Sequence, residues 1–184
     1  MQNNMLAPSE QILSILIGFW QARAVAAITE VDIPELLSSG ALHVEELARL
    51  TKTNASALFR IMRALESVGI FTQPSPFVFA NTATSGCLRK DAPDSQQALV
   101  LSCLSHGNGL FDGWDDFGYS MSAGLPALNK IYGHDIWEFY RQHPKANTIF
   151  NEMMRSLTGV MTPAITAAYD WSHFPVIADI GGCI

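Results

Sequence analysis

The stretch from Ile12 to Ile28 constrains this chain more than any other. Ile12, Leu16, Phe19, Trp20 and Ala27 recur at helical spacing, while Leu13, Ile15 and Ile17 place apolar residues on the remaining faces. Pro8 and Ser9 supply the start signals, so a helix is predicted from there. A helix apolar nearly all round has to be covered on more than one side. The first helix of a small domain is seldom surrounded by its own chain. Two readings follow: a core helix, or a helix clasped by a second copy of the chain. Composition favours the second, because only 15% of the residues are charged and 48% are hydrophobic, against about 25% charged in typical soluble domains. The same balance excludes an intrinsically disordered chain. Gln21 and Arg23 interrupt the stretch, and its length is at the short limit for a bilayer. No membrane partner is therefore expected. The N-terminus has no basic residue before Glu10, which argues against a secretory signal.

Downstream the pattern is that of a small helical domain. Asp32 to Glu35 reads as a capped helix start, and Gly40 closes a short helix. His43 to Leu50 makes a second short helix. Thr53 or Asn54 caps a third, in which Leu58, Ile61, Met62, Leu65 and Val68 keep helical spacing until Gly69. Ile70-Phe71 and Phe77-Val78-Phe79, separated by Pro74 and Pro76, read as a β-hairpin. Helix, turn, helix, hairpin is the order of a winged helix-turn-helix. Such a domain often binds DNA, but here the electrostatic footprint is missing. Residues 1–82 carry five basic residues against seven acidic ones, a net of −2, and the wing from Pro74 to Ala80 has no charge. The whole chain stands at −6. No nucleic-acid partner is expected.

Asp91-Ala92-Pro93-Asp94 is a loop and a domain boundary. Helices are predicted over Ser95–Leu104, Asp112–Ala123 and Ile136–Tyr140. The segment around Pro126 and Gly133 reads as irregular. A long helix runs from Pro144 to about Tyr169, and Pro163 should kink or divide it. Val176 to Ile180 reads as a short apolar strand followed by Gly181-Gly182. Cys87, Cys103 and Cys183 are widely spaced and odd in number, and no pair has metal-ligand spacing. No metal site and no disulfide framework are expected, and a cytoplasmic, reducing location fits best.

Four stretches in this order resemble a known family. Gly18-Phe19-Trp20-Gln21-Ala22 is similar to the beginning of its dimerisation helices. Leu58-Phe59-Arg60-Ile61-Met62-Arg63-Ala64-Leu65 is similar to an "L-x-R-x-[ML]-R-x-L" helix. Phe150-Asn151-Glu152-Met153-Met154 resembles an "F-N-x-x-M" signature. Ala178-Asp179-Ile180-Gly181-Gly182 resembles a "[VA]-D-[VI]-G-G-G-x-G" opening. The family is that of the dimeric S-adenosylmethionine-dependent O-methyltransferases acting on small molecules, the plant phenolic enzymes and their bacterial relatives. The likeness covers essentially all 184 residues but only about the first half of a family member.

The resemblance implies site residues. Asp179, Gly181 and Gly182 would form the turn beside the amino-acid portion of S-adenosylmethionine, with Met154 and Thr158 on one helix face near the cofactor. Core packing for Met154 and a backbone hydrogen bond for Thr158 remain the alternative. His106, Phe111, Trp114, Trp137, Phe150, Asn151 and Met154 would line or support a pocket for a flat phenolic or polyketide-like acceptor. The sequence departs from the family at Cys183, where a third glycine belongs. The family's ribose-binding acid and catalytic histidine lie further on than this chain extends. None of His43, His106, His134, His143 and His173 matches that base, so no catalytic residue is assigned.

The expected fold is mainly α with a small β-hairpin. A winged helix-turn-helix dimerisation domain (1–90) precedes a helical substrate-capping segment (91–170). The first strand of an incomplete Rossmann-like domain (171–184) follows. The expected function is the homodimeric, substrate-binding portion of an O-methyltransferase, truncated or expressed as a fragment. S-adenosylmethionine is the family's cofactor and is not expected to bind this chain alone. The alternatives are a non-enzymatic dimer partner of a full-length relative and a winged-helix regulator.

Overall fold

The computed structural model describes residues 6–178 and residue 180. The chain divides into two compact units, Met1–Gly86 and Cys87–Ile184.

The first unit opens with helix α1, Pro8–Glu30. Pro8 sits in its first turn, where a missing N–H costs nothing, and the Glu10 carboxylate accepts from the Ala7 amide at 2.8 Å. Ala26, Ile28 and Thr29 near its C-terminal end are buried, whereas Ile12, Leu13, Ile15, Leu16, Phe19 and Trp20 are exposed. By length and composition α1 is also apolar enough to cross a membrane. Asp32 takes a left-handed conformation ahead of the short α2, Ile33–Leu36. Strand β1, Leu42–His43, leads into α3, Val44–Thr51, and the His43 ring nitrogen accepts from the Glu45 amide. Helix α4, Ala55–Glu66, is capped by Asn54, whose side chain accepts from the Ala57 amide at 3.0 Å. Its Leu58, Met62 and Leu65 are buried at helical spacing.

Strands β2, Phe71–Ser75, and β3, Val78–Asn81, form the expected hairpin, and the short α5 spans Ala83–Gly86. The sheet has a third member the sequence did not announce. Its order is β1-β3-β2, all antiparallel, with Leu42 opposite Phe79 and Phe71 opposite Asn81. A two-residue strand carries no period of its own and exists because β3 offers it a partner. Phe77 at the hairpin turn has a positive φ of 64°, which a non-glycine residue adopts only when its surroundings reward it. Here the reward is its carbonyl, which accepts from the Val44 amide at 2.8 Å and satisfies a first-turn donor of α3. The core joins Ile28, Ile33, Leu47, Leu58, Met62, Leu65, Phe71 and Phe79.

In the second unit α6, Gln97–Leu104, packs along α10, Pro144–Ala167. Between them lie a 3-10 turn at Phe111–Asp116, α7 at Phe117–Ala123, α8 at Ala127–Tyr132 and α9 at Ile136–Gln142. Phe139, Tyr140 and Ala146 form a core with Tyr132, Ile136 and Phe150 against it. Two expectations change and a third is narrowed. The helix expected over Asp112–Ala123 is split, because Asp112 turns back to the preceding loop instead of continuing an α-helix. The segment after Pro126, expected to be irregular, forms α8, ended by left-handed Gly133. Of the two outcomes expected at Pro163, a kink or a division, the helix is not divided: α10 continues through it as one element. Pro163 still removes one donor from the ladder, opposite the Gly159 carbonyl.

The strand expected over Val176–Ile180 is not formed in its described part. Val176–Ala178 have no regular structure, and Val176 and Ile177 are exposed at 80% and 64%. A strand needs a ladder partner for its backbone groups, and no strand of this unit is present among the described residues to supply one. Asp179, Gly181 and Gly182, expected at the cofactor turn, lie outside the described residues.

Candidate functional site

Helix α10 carries the residues expected nearest the chemistry. Met154 and Thr158 share a face, as the spacing required, and that face continues through Met161 and Ile165. Met154, Leu157, Met161 and Ile165 are all exposed, so this apolar stripe is not core. Around the helix, Phe150 stacks on Tyr140 at a ring separation of 4.7 Å and meets Trp137 edge-on at 6.1 Å. Trp137 is exposed and Asn151 half-buried beside that pair. Burial pushes the Tyr140 hydroxyl up to about 12, so it is a neutral donor at ordinary pH.

A second group forms where the chain turns after α6. Gly107 and Gly109 have positive φ of 78° and 95°, and both amides point at the buried Asp112. Gly107 donates to both carboxylate oxygens, at 3.2 and 3.0 Å, and Gly109 donates at 3.4 Å. The Tyr132 hydroxyl donates to the same carboxylate from α8, and His106 Nδ1 lies 2.9 Å from it. Burial opposes the Asp112 charge, but the donors from Tyr132, His106, Gly107 and Gly109 outweigh it and hold the carboxyl below its ordinary value. Burial and the Asp112 charge push the Tyr132 phenol up. Phe111 is buried under the His106 ring, edge-on at 4.7 Å. Trp114 is exposed and pairs with Phe117 at 5.3 Å.

The expected pocket residues thus fall into three local groups: His106 with Phe111, Trp114 with Phe117, and Trp137 with Phe150 near Asn151 and Met154. A cleft of about 620 Å³ in this unit is lined instead by Lys90, Asp94, Gln97, Glu152, Arg155 and Gly159, among others. It lies on the face of α10 opposite Met154 and Thr158. In the sequence Asp112 reads only as a helix start, and Tyr132 is not singled out. The signal was His106-Gly-x-Gly with an Asp three residues beyond, two glycines that free their amides to face one carboxylate. Donor atoms of His106, Asp112 and Asp115 come within 4.8 Å of one another, a set able to hold a cation. Both Asp112 oxygens already accept protein donors, which makes the cluster a loop anchor first.

Two family models match the chain: the O-methyltransferase dimerisation domain over residues 13–91 and the O-methyltransferase domain over residues 114–184. Among curated relatives, phenazine O-methyltransferase PhzM of Lysobacter antibioticus is 30% identical over 173 residues, 94% of this chain and 50% of the relative. The mitomycin biosynthesis 6-O-methyltransferase of Streptomyces lavendulae is 31% identical over 179 residues, 96% of this chain and 50% of the relative. Among solved structures, LaPhzM superposes with a TM-score of 0.83 at 28% identity, covering 90% of this chain and 49% of that one. NcsB1, from neocarzinostatin biosynthesis and in complex with S-adenosylmethionine and 2-hydroxy-5-methyl naphthoic acid, gives 0.68 at 25% identity, covering 83% and 46%. The chain spans about half the length of the curated relatives it matches. Matching the family's dimerisation domain and then its O-methyltransferase domain, the chain belongs to the O-methyltransferase family.

Proposed function

We propose that this chain is the dimerising, acceptor-capping portion of an S-adenosylmethionine-dependent O-methyltransferase for a small aromatic or polyketide-like hydroxyl compound. The observation that carries the reading is the uncovered stripe Met154, Leu157, Met161 and Ile165 on α10, inside the segment that matches the methyl-transfer domain. An exposed apolar stripe of this length on a helix wants a covering surface, and Thr158 beside it offers a hydroxyl. The bound cofactor would supply an electrophilic methyl group. This chain's part is to place a flat acceptor, with Trp137 and Phe150 as the aromatic wall and Asn151 as a polar contact.

The first unit fits the winged-helix reading, with α3 and α4 as its helices and β2–β3 as its wing. We read α1 as the homodimer contact and not as a membrane span, since its exposed residues lie in the segment that matches the dimerisation domain. The uncharged turn between β2 and β3 supports a role in assembly over nucleic-acid binding. The irregular, exposed Val176–Ala178 supports the further reading that the chain alone does not hold S-adenosylmethionine. A glycine turn binds a ligand when a parallel sheet fixes it.

Calorimetry should find no S-adenosylmethionine binding tighter than about 1 mM, a free energy near −4 kcal/mol. Joining the matching C-terminal half of a relative after Gly182 should restore micromolar binding and methyl transfer to a hydroxyl-bearing aromatic. Micromolar binding by the chain alone, or a well-folded hybrid that accepts no such compound, overturns the reading.

A further inference from the structure

We propose that His106 is a specificity-determining residue whose Nε2 accepts a hydrogen bond from a donor group, such as a phenolic hydroxyl, on the aromatic acceptor. The inference rests on the acceptor-capping reading above. Asp112 is charged and therefore acceptor-only, so the nitrogen of His106 that meets it at 2.9 Å must carry the hydrogen. In the neutral form of the ring the hydrogen lies on Nδ1, which faces Asp112 and, at 3.7 Å, Asp115, and the lone pair lies on Nε2.

The ring is also fixed in place. Asp112 is anchored by the amides of Gly107 and Gly109 and by the hydroxyl of Tyr132, three donors from two different elements. Phe111 braces the ring edge-on. Yet the His106 side chain remains 56% exposed. A buried carboxylate orienting a half-open imidazole is a pre-organised acceptor, because the protein has already frozen the tautomer and the rotamer a ligand would otherwise have to select. On the same 3-10 turn as Asp112, Trp114 presents an exposed indole next to Phe117, a flat surface of the kind an aromatic ring stacks on.

Two probes on the same naphthalene ring test this: 1-naphthol, which donates a hydrogen bond, and its methyl ether 1-methoxynaphthalene, which does not. Binding is measured on the full chain by calorimetry, and the His106 ring nitrogens are followed by long-range proton–nitrogen NMR. The free protein should show an unprotonated Nε2 that shifts on adding 1-naphthol and not on adding the ether. The wild type should prefer 1-naphthol about 3- to 10-fold, the worth of one hydrogen bond. His106→Leu should lose that preference while keeping its affinity for the ether, and its melting temperature, lowered by the loss of one Asp112 donor, should stay above the assay temperature.

An Nε2–H tautomer, or equal affinities in the wild type, overturns the proposal. If both compounds bind equally and shift the Trp137 indole or the Met154 methyl, recognition lies on the α10 side, and only the His106 assignment falls. If neither compound binds, the His106 assignment and the aromatic-acceptor reading fall together. The methyl-transfer hybrid described above then decides independently between loss of the acceptor class and loss of the family activity.

Discussion

Replacing Trp20 by alanine should dissociate the dimer and leave the protomer folded. Trp20 is 62% exposed within its own chain. A tryptophan side chain presents up to about 250 Å², so about 150 Å² is left for a second copy to cover. At about 25 cal/mol per Å² that area is worth about 4 kcal/mol, of which an alanine keeps a small part. In a two-fold dimer the substitution is made twice, giving roughly 6 kcal/mol before the interface relaxes. Partial collapse around the lost rings brings the expected figure to about 4–6 kcal/mol, or a 10³- to 10⁴-fold rise in Kd. Sedimentation velocity at micromolar concentration is the assay. The wild type should run at twice the 20.1 kDa chain mass, and the variant at 20.1 kDa. Far-ultraviolet circular dichroism should show the same helix in both, because Trp20 is not part of the protomer's core. Ile28→Ala is the contrast: that side chain is 1% exposed, so its loss should cost the protomer about 2–5 kcal/mol of folding stability. A wild type sedimenting at single-chain mass, or a Trp20→Ala protein that stays dimeric, refutes the argument. Loss of helix in Trp20→Ala would show that α1 is held by its own unit.

Asp112→Asn should destabilise the second unit by roughly 2–4 kcal/mol at neutral pH, since it weakens an acceptor shared by Gly107, Gly109, Tyr132 and His106. The folded Asp112 carboxyl titrates below its ordinary value, so its contribution is fully present above about pH 4 and is lost as pH falls through the folded value. Urea melts of both proteins should therefore converge in acid, and a gap that widens there would contradict the sign. Pro163→Ala should stabilise α10 by about 1–3 kcal/mol, because it returns an N–H opposite the Gly159 carbonyl at an exposed position. Thermal melts showing a loss instead would mean that the proline ring is packed against something. Gel shifts against a random duplex pool should show no complex below about 100 μM, the weak end of non-specific affinity. A nanomolar sequence-specific complex would favour a regulator.

The parts of this protein legible in the sequence are those whose causes lie within one helical turn. Asn54, the Leu58–Met62–Leu65 spacing and Gly69 mark both ends and the buried face of α4, because capping and 3.6-residue periodicity are local. The same holds for Pro8 at the start of α1 and for Met154 and Thr158 sharing a face. Strand β1 was not legible, because two residues become a strand only against β3, 36 residues later. The break at Asp112 was hidden for a related reason: its carboxylate gathers amides and a phenol from Gly107, Gly109 and Tyr132, and no window of sequence shows that convergence. Charge and hydropathy alone determined that α1 had to be covered by something. Only the tertiary structure decided which part of it the protomer covers itself. Packing against α2 and α4 consumes Ala26, Ile28 and Thr29 near its end, while the span from Ile12 to Trp20 runs beyond the reach of its own unit's core and keeps its apolar surface for another molecule.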